Sequence, residues 1–308
     1  MGPCLAEREA LLNCPTPPPP LKGRGFTLLA ALALSACTTT PPVAVVPPSS
    51  PTVPPGMQYL YGSGEAAAQA LQTWRQLTQF AATQVATAPT YSAVLAPDAT
   101  LAAPKWIPCG NKPKAAVFDV DETVLLNLGF EANDAAHPAP YNQKTWDAWE
   151  LTDLDKVAPQ PGAVQALDAL RRMGVTVVFN TNRSAAHADI TRATIERAGL
   201  GPAVHGETLY LSGDDAMGSR KDGRRATIAA KFCVIAMGGD QLGDFSDLFN
   251  ASLPPATRRA AVQREPVSAK FGAGWFILPN PVYGSALKGS FDDVFPQDKR
   301  WAPPAGDK

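Results

Sequence analysis

Asp119 and Asp121 stand one residue apart in Ala115-Ala116-Val117-Phe118-Asp119-Val120-Asp121-Glu122-Thr123, where a short apolar run of strand type gives way to a polar turn. Two carboxylates presented this way suit metal-assisted phosphoryl transfer, in which one attacks phosphorus and the other moves a proton. Successive side chains of a strand point to opposite faces, so the chain must curl after Phe118 before both acids reach one ligand. The carboxyl end of a strand in a parallel α/β sheet offers such a place. The competing reading is a solvated acidic turn.

Three further pieces carry residue types that the same chemistry needs. Thr181-Asn182-Arg183 follows an apolar run, Lys221 opens a basic helical segment, and Gly238-Gly239-Asp240, with Asp244 beyond it, follows another apolar run. A hydroxyl, a compact cation and more carboxylates are thereby available from distant parts of the chain. Taken singly, Thr181 reads as a helix cap and Lys221 as a solvated surface charge.

These residues need elements to position them. Strand-length apolar runs fall at Ala115 to Asp119, Val175 to Asn180, Glu207 to Leu211, Phe232 to Met237 and Trp275 to Leu278. Helical patterns lie between them: Ala163 to Met173 stops at Gly174, and Ser184 to Ala198 stops at Gly199. Glycine just past a helix end is an expected stop. Ahead of these, Leu71, Trp74, Leu77 and Phe80 recur near helical spacing in Glu65 to Thr87, with Ser63 as a cap. That pattern predicts a packing helix. Alternating strands and helices predict a doubly wound parallel sheet around one core.

The front of the chain reads differently. Lys22 and Arg24 precede the apolar run Phe26 to Leu34, which is too short to span a bilayer and reads as a signal-peptide core. Leu34-Ser35-Ala36-Cys37 looks like a bacterial lipobox, which predicts a leader over residues 1–36 and a lipidated Cys37. The residues ahead of Lys22 fit no signal, so the start can lie too far upstream. Residues 37–57 are rich in Pro and Thr and form a tether, which at about 3.1 Å per residue reaches roughly 50 Å. Thr38, where some sorted lipoproteins carry Asp, resembles the outer-membrane class. The folded domain is expected over residues 58–308.

Without the leader, Cys37, Cys109 and Cys233 remain. Cys109 and Cys233 fall near the amino ends of strands expected to be neighbours, and an oxidising periplasm predicts a bond between them. Two buried, inert cysteines are the other reading. With 308 residues, 45% hydrophobic and 18% charged, the chain can bury one large core or two small ones. A formal net charge of -1 with no basic stripe argues against nucleic-acid binding.

In order and residue type the pieces resemble the haloacid dehalogenase (HAD) superfamily, and within it the bacterial lipoprotein acid phosphatases, the class C acid phosphatases or outer-membrane 5'-nucleotidases. The likeness runs from about Met57 to Phe295. It includes Trp146-Asp147-Ala148-Trp149, Pro161-Gly162-Ala163, Lys270-Phe271-Gly272 and Leu278-Pro279-Asn280-Pro281-Val282-Tyr283-Gly284. The resemblance implies an α/β, doubly wound parallel, Rossmann-like sheet of HAD type with a small helical cap insertion. It implies that Asp119 forms an aspartyl-phosphate and that Asp121 protonates the leaving oxygen and then activates water, with an acidic pH optimum.

The same resemblance implies Mg2+ held by Asp119, the backbone carbonyl of Asp121 and Asp240, with Asp244 behind them as an orienting group. Thr181 and Lys221 would contact the transferring phosphoryl group, Arg220 being the alternative to Lys221. Asn182 and Arg183 would bind substrate. Phe130, Trp146, Trp149 and Tyr283 would form a slot for a base or phenyl leaving group, two of the four touching it. Around Leu126 to Phe130 the chain departs from the family pattern, which points to a different substrate preference. Implied partners are phosphomonoesters such as nucleoside monophosphates, the membrane through Cys37, and a second copy of the chain as a homodimer.

His137, His187 and His205 lack both the paired arginines of a histidine phosphatase and the spacing of a zinc site, and read as incidental. A phosphotransferase would differ only in its acceptor. A lipid-anchored protein that captures nucleotides or haem on an inactive scaffold is the non-catalytic alternative.

Overall fold

The computed structural model describes residues 51–250 and 252–303. The leader, Cys37 and most of the tether lie outside the described residues, and with them the expectation of lipid anchoring. The body begins earlier than expected. Helix α1 spans Pro55–Gly62 with proline in its first turn, where a missing N–H leaves no bond unmade. Met57 and Leu60 are buried beneath it, so residues 55–57 belong to the body rather than the tether. Helix α2, Gly64–Thr87, starts at the expected cap, the Ser63 hydroxyl accepting from the Ala66 N–H at 3.1 Å. Its buried stripe is Ala66, Ala70, Trp74, Leu77 and Ala81, spaced three or four residues apart on one face.

An antiparallel hairpin follows, β1 (Tyr91–Leu95) with β2 (Trp106–Pro108). Its strands are too short and too mixed to stand out in the sequence. Strand β3, Lys114–Phe118, then enters the main sheet. Beyond it, β4 (Leu125–Leu126) and β5 (Ala158–Pro159) pair antiparallel and close the base of an insertion. The insertion carries α3 (Leu128–Ala136) and α4 (Gln143–Glu150), the expected helical cap. The remainder alternates: α5 (Ala163–Arg172), β6 (Thr176–Ser184), α6 (Ala188–Arg197), β7 (Leu209–Ser212), α7 (Asp222–Lys231), β8 (Cys233–Gly239), α8 (Pro255–Gln263), β9 (Trp275–Ile277) and the short α9 (Phe291–Val294).

The five main strands are parallel in the order β7-β6-β3-β8-β9. The chain enters at β3, moves outward through β6 and β7, and then returns to the other side of β3 for β8 and β9. Loops leaving the carboxyl ends of β3 and β8 therefore run apart, and the crevice between them is where such sheets bind ligands. Both faces of the sheet are covered. Ala116 and Phe118 face the layer of α2 and α5, and Ala115 and Val117 face the layer of β1, α7 and Trp275. The predicted doubly wound sheet is thus the observed one.

Cys109 and Cys233 are bonded, across 124 residues of sequence, and join the end of the hairpin to the first residue of β8. A cross-link closing a loop this long restricts the unfolded chain more than the folded one. Reduction is expected to lower stability by about 3–5 kcal/mol. Denaturant unfolding with and without reductant measures this; two free thiols at these positions in the unreduced, denatured protein would remove the bond altogether.

Candidate active site

The curl required of the Asp119 to Asp121 segment is built around one carbonyl. Val120 O accepts from the N–H groups of Thr123, Val124 and Leu125 at 2.9–3.3 Å, and Glu122 takes φ 53° to close the turn. Before the turn, the Asp119 N–H bonds to Gly238 O at 3.0 Å and carries the ladder between β3 and β8 one step past Phe118. Asp119 is thereby set beside the segment that holds Asp240. The two glycines there are needed for close approach: a Cβ on Gly238 would lie 2.7 Å from the Phe118 ring, and one on Gly239 would lie 2.3 Å from Asp244 Cβ.

Asp119, Asp240 and Asp244 each present a carboxylate oxygen within 4.8 Å of the others. Lys221 Nζ lies between two of them, donating to Asp119 Oδ1 at 2.5 Å and Asp244 Oδ1 at 2.7 Å. Burial works against the lysine charge, but Asp119 and Asp244 outweigh it and hold its pKa above the ordinary value. Arg220, the alternative, directs its guanidinium to Met217 Sδ at 3.8 Å and does not line the cavity among the described residues. Asp240 accepts from Asn280 Nδ2 at 2.7 Å and Gln241 Nε2 at 3.0 Å. Burial, and then Asp244, nonetheless push its carboxyl up to about 7.

One ammonium among three carboxylates, two buried and one partly so, leaves negative charge uncompensated. The donor set is all oxygen, which suits a hard divalent cation such as Mg2+, so these residues fit the implied metal. Asp244 shares the cluster directly rather than standing behind it, because the tight turn from Gln241 to Asp244 folds its side chain back over Gly239.

Asp121 is held apart from that cluster. Its Oδ1 accepts from Asn127 Nδ2 at 2.9 Å and from Arg183, Nε at 2.9 Å and Nη2 at 2.8 Å, and its Oδ2 accepts from the Thr181 hydroxyl at 3.4 Å. These contacts correct two expectations. Strand β6 continues through Ser184, so Thr181 and Arg183 are buried while Asn182 alone of the three is exposed. Arg183 is buried and does not line the active-site cavity; besides Asp121 it pairs with buried Asp153, and its Nη2 donates to Asn127 Oδ1 at 3.1 Å. Thr181 likewise faces Asp121 and accepts from the Arg183 N–H at 3.1 Å, so it does not line the cavity.

Glu122 carries no signal in the sequence beyond its place after the two acids. Glu122 is buried and accepts from the Tyr61 hydroxyl at 3.1 Å, the Asn127 N–H at 2.8 Å, Asn127 Nδ2 at 3.2 Å and the Tyr283 hydroxyl. Burial and then Asp121 push it up to about 8. It ties α1, the cap entry and the C-terminal loop to the turn that holds both acids. Arg224 bonds to Thr181 O and to Asn182 Oδ1, and Arg225 donates to the carbonyls of Gly243 and Asp244, each at 2.9 Å. No spacing signal marks them, since their partners lie on other strands' loops.

A cavity of about 870 Å³ joins the acids to the cap. Phe130, Trp146 and Tyr283 line it, with Phe130 and Trp146 edge to face at 5.0 Å. Trp149 does not, because α4 turns it into the core behind Phe130 at 6.0 Å. His187 also proves engaged rather than incidental. Its Nδ1 lies 2.6 Å from buried Glu150, which accepts the Trp146 indole N–H at 2.6 Å and so fixes that wall.

Two outcomes follow for the support of the site. Glu122→Ala strands several buried donors and should destabilise the protein by at least about 2 kcal/mol, measured by chemical denaturation. Glu131, on α3, is pushed from 4.5 to about 7 by burial and then by Asp134. Between those values the folded protein keeps a proton that the unfolded chain has lost, so stability falls as pH rises through the window. Glu131→Gln should therefore raise the melting temperature at pH 8 and have no such effect at pH 4; a constant offset would contradict this.

Residues 63–286 match the family described as HAD superfamily, subfamily IIIB (acid phosphatase). Acid phosphatase 1 of Solanum lycopersicum is 25% identical over 173 residues, 54% of this chain and 57% of that protein, so the chain spans just over half the length of that relative. Two crystal structures of the class C acid phosphatase from Bacillus anthracis are similar at 25% identity and a TM-score of 0.61. The one with tungstate bound is matched over 75% of this chain and 84% of that one, the other over 78% and 90%. With the family match covering most of the length and the fold and acid cluster agreeing with it, this chain belongs to the acid phosphatases of HAD subfamily IIIB.

Proposed function

We propose that the chain is a magnesium-dependent acid phosphatase that hydrolyses phosphate monoesters, 5'-nucleotides among them, through an aspartyl-phosphate on Asp119. One observation carries this reading: Asp119, Lys221, Asp240 and Asp244, from three separate segments, converge where loops diverge from β3 and β8. The similar Bacillus anthracis protein was crystallised with tungstate, an oxyanion of phosphate-like charge and shape.

A carboxylate of Asp119 attacks phosphorus in line with the ester oxygen, and the P–O bond to the leaving group breaks as the new one forms. Asp121, pointed by Asn127 and Arg183, gives the departing oxygen its proton. It then takes a proton from water, which attacks the aspartyl-phosphate and frees phosphate and Asp119. The match to an acid phosphatase family supports an acidic pH optimum. Lys221 exchanges part of its bonding to Asp119 for the phosphoryl oxygens and offsets the charge that develops there. Asp119, Asp240 and Asp244, with the Asp121 carbonyl, would hold Mg2+, which when bound would supply positive charge against the repulsion between carboxylate and phosphate.

Phe130, Trp146 and Tyr283 give aromatic surface on which a base or phenyl ring can stack. The leader and Cys37 support a lipid-anchored, outer-membrane location for the body.

With a chromogenic aryl phosphate, turnover should require Mg2+ and fall at least about a thousandfold in Asp119→Asn. Equal rates for the two proteins would end the catalytic reading, and full activity after chelation would end the metal dependence.

A further inference from the structure

The cavity carries acid well beyond the phosphoryl site. Glu131 lines it from α3, is only 5% exposed, and among the described residues its carboxylate has no hydrogen-bond or ion-pair partner. Asp134, three residues on along the same helix, lines the cavity too. Among the described residues Lys221 is the one lysine or arginine lining it, and it is already shared by Asp119 and Asp244. Tyr61 lies near Glu131 but donates its hydroxyl to Glu122 instead.

An ionised carboxylate buried without a partner is costly, so it keeps its proton unless a positive charge beside it offsets the cost. Neutral leaving groups bring nothing to offset that cost, and a second phosphate would be repelled. A positive charge gains from Glu131 and Asp134, and also from the faces of Phe130, Trp146 and Tyr283, which line the same cavity. On the basis of the phosphatase reading above, we propose that the cap wall of this cavity, through Glu131 beside an aromatic cluster, selects phosphomonoesters whose leaving group is cationic, such as amino-alcohol or quaternary-ammonium esters.

The charge can be isolated by comparing choline phosphate with dimethylbutyl phosphate, in which carbon replaces the quaternary nitrogen. Measured with Mg2+ at neutral pH, kcat/KM should favour choline phosphate at least about fivefold in the wild type. Glu131→Gln should bring that ratio towards one by raising KM for the choline ester, in a protein shown by its melting curve to be folded. If the wild type hydrolyses aryl and dimethylbutyl phosphates but shows no preference for choline phosphate, this inference fails and the phosphatase reading stands. A preference that survives intact in Glu131→Gln removes the role given to Glu131. Loss of all three activities in the wild type overturns the phosphatase reading and this inference with it.

Discussion

The site depends on how like charges are held together. Asp119, Asp240 and Asp244 are brought within 4.8 Å by the register of β3 against β8, and nothing in that register reduces their repulsion. Lys221 does so in part, reaching in from the start of α7 to bond two of the three. Its own position is fixed from behind, where Asp247 accepts from the N–H groups of Lys221 and Asp222 at 2.9 and 2.7 Å. The charge left over, on an all-oxygen donor set, suits a hard divalent cation.

Around this cluster lies a second network that carries no reaction of its own. Glu122, Arg183, Arg224 and Arg225 are all buried, and each bridges segments far apart in the chain. Polar groups at such depth stabilise only when fully partnered. Here most of the partners are backbone carbonyls or side chains of the loops that aim Asp121, Asn182 and Asp244. The network therefore converts burial into orientation: Arg183 sits where a sequence motif suggests substrate contact, yet it serves Asp121.

The cap is coupled to the body by the same kind of chemistry. Glu150 joins Trp146 on α4 to His187 and to the Ser184 N–H at the end of β6. A wall of the leaving-group cavity is thus tied to the strand that carries Thr181 and Arg183. The phosphoryl end of the cavity is built from loops of the sheet and the other end from the insertion, so substrate preference can change in the cap while the acids stay fixed.

The parallel sheet and the pairing of Cys109 with Cys233 were legible in local information: apolar runs with period two or near 3.6, and cysteines placed near the starts of neighbouring strands. Asp119, Asp121, Lys221 and Asp240 stood out as a set only through the order in which their segments resemble a known family, and the fold then brings Asp119 and Lys221 into contact beside Asp240. What sequence could not decide is which way a side chain turns once its element is packed. Strand β6 runs on past Asn180, and that alone sends Arg183 inward and leaves Asn182 towards the cavity. The turn of α4 likewise buries Trp149 and leaves Trp146 on the wall. The partners of Glu122 and Glu131, one saturated with donors and the other with none, are set by contacts across the fold, because hydrogen bonding and desolvation depend on neighbours in space rather than along the chain.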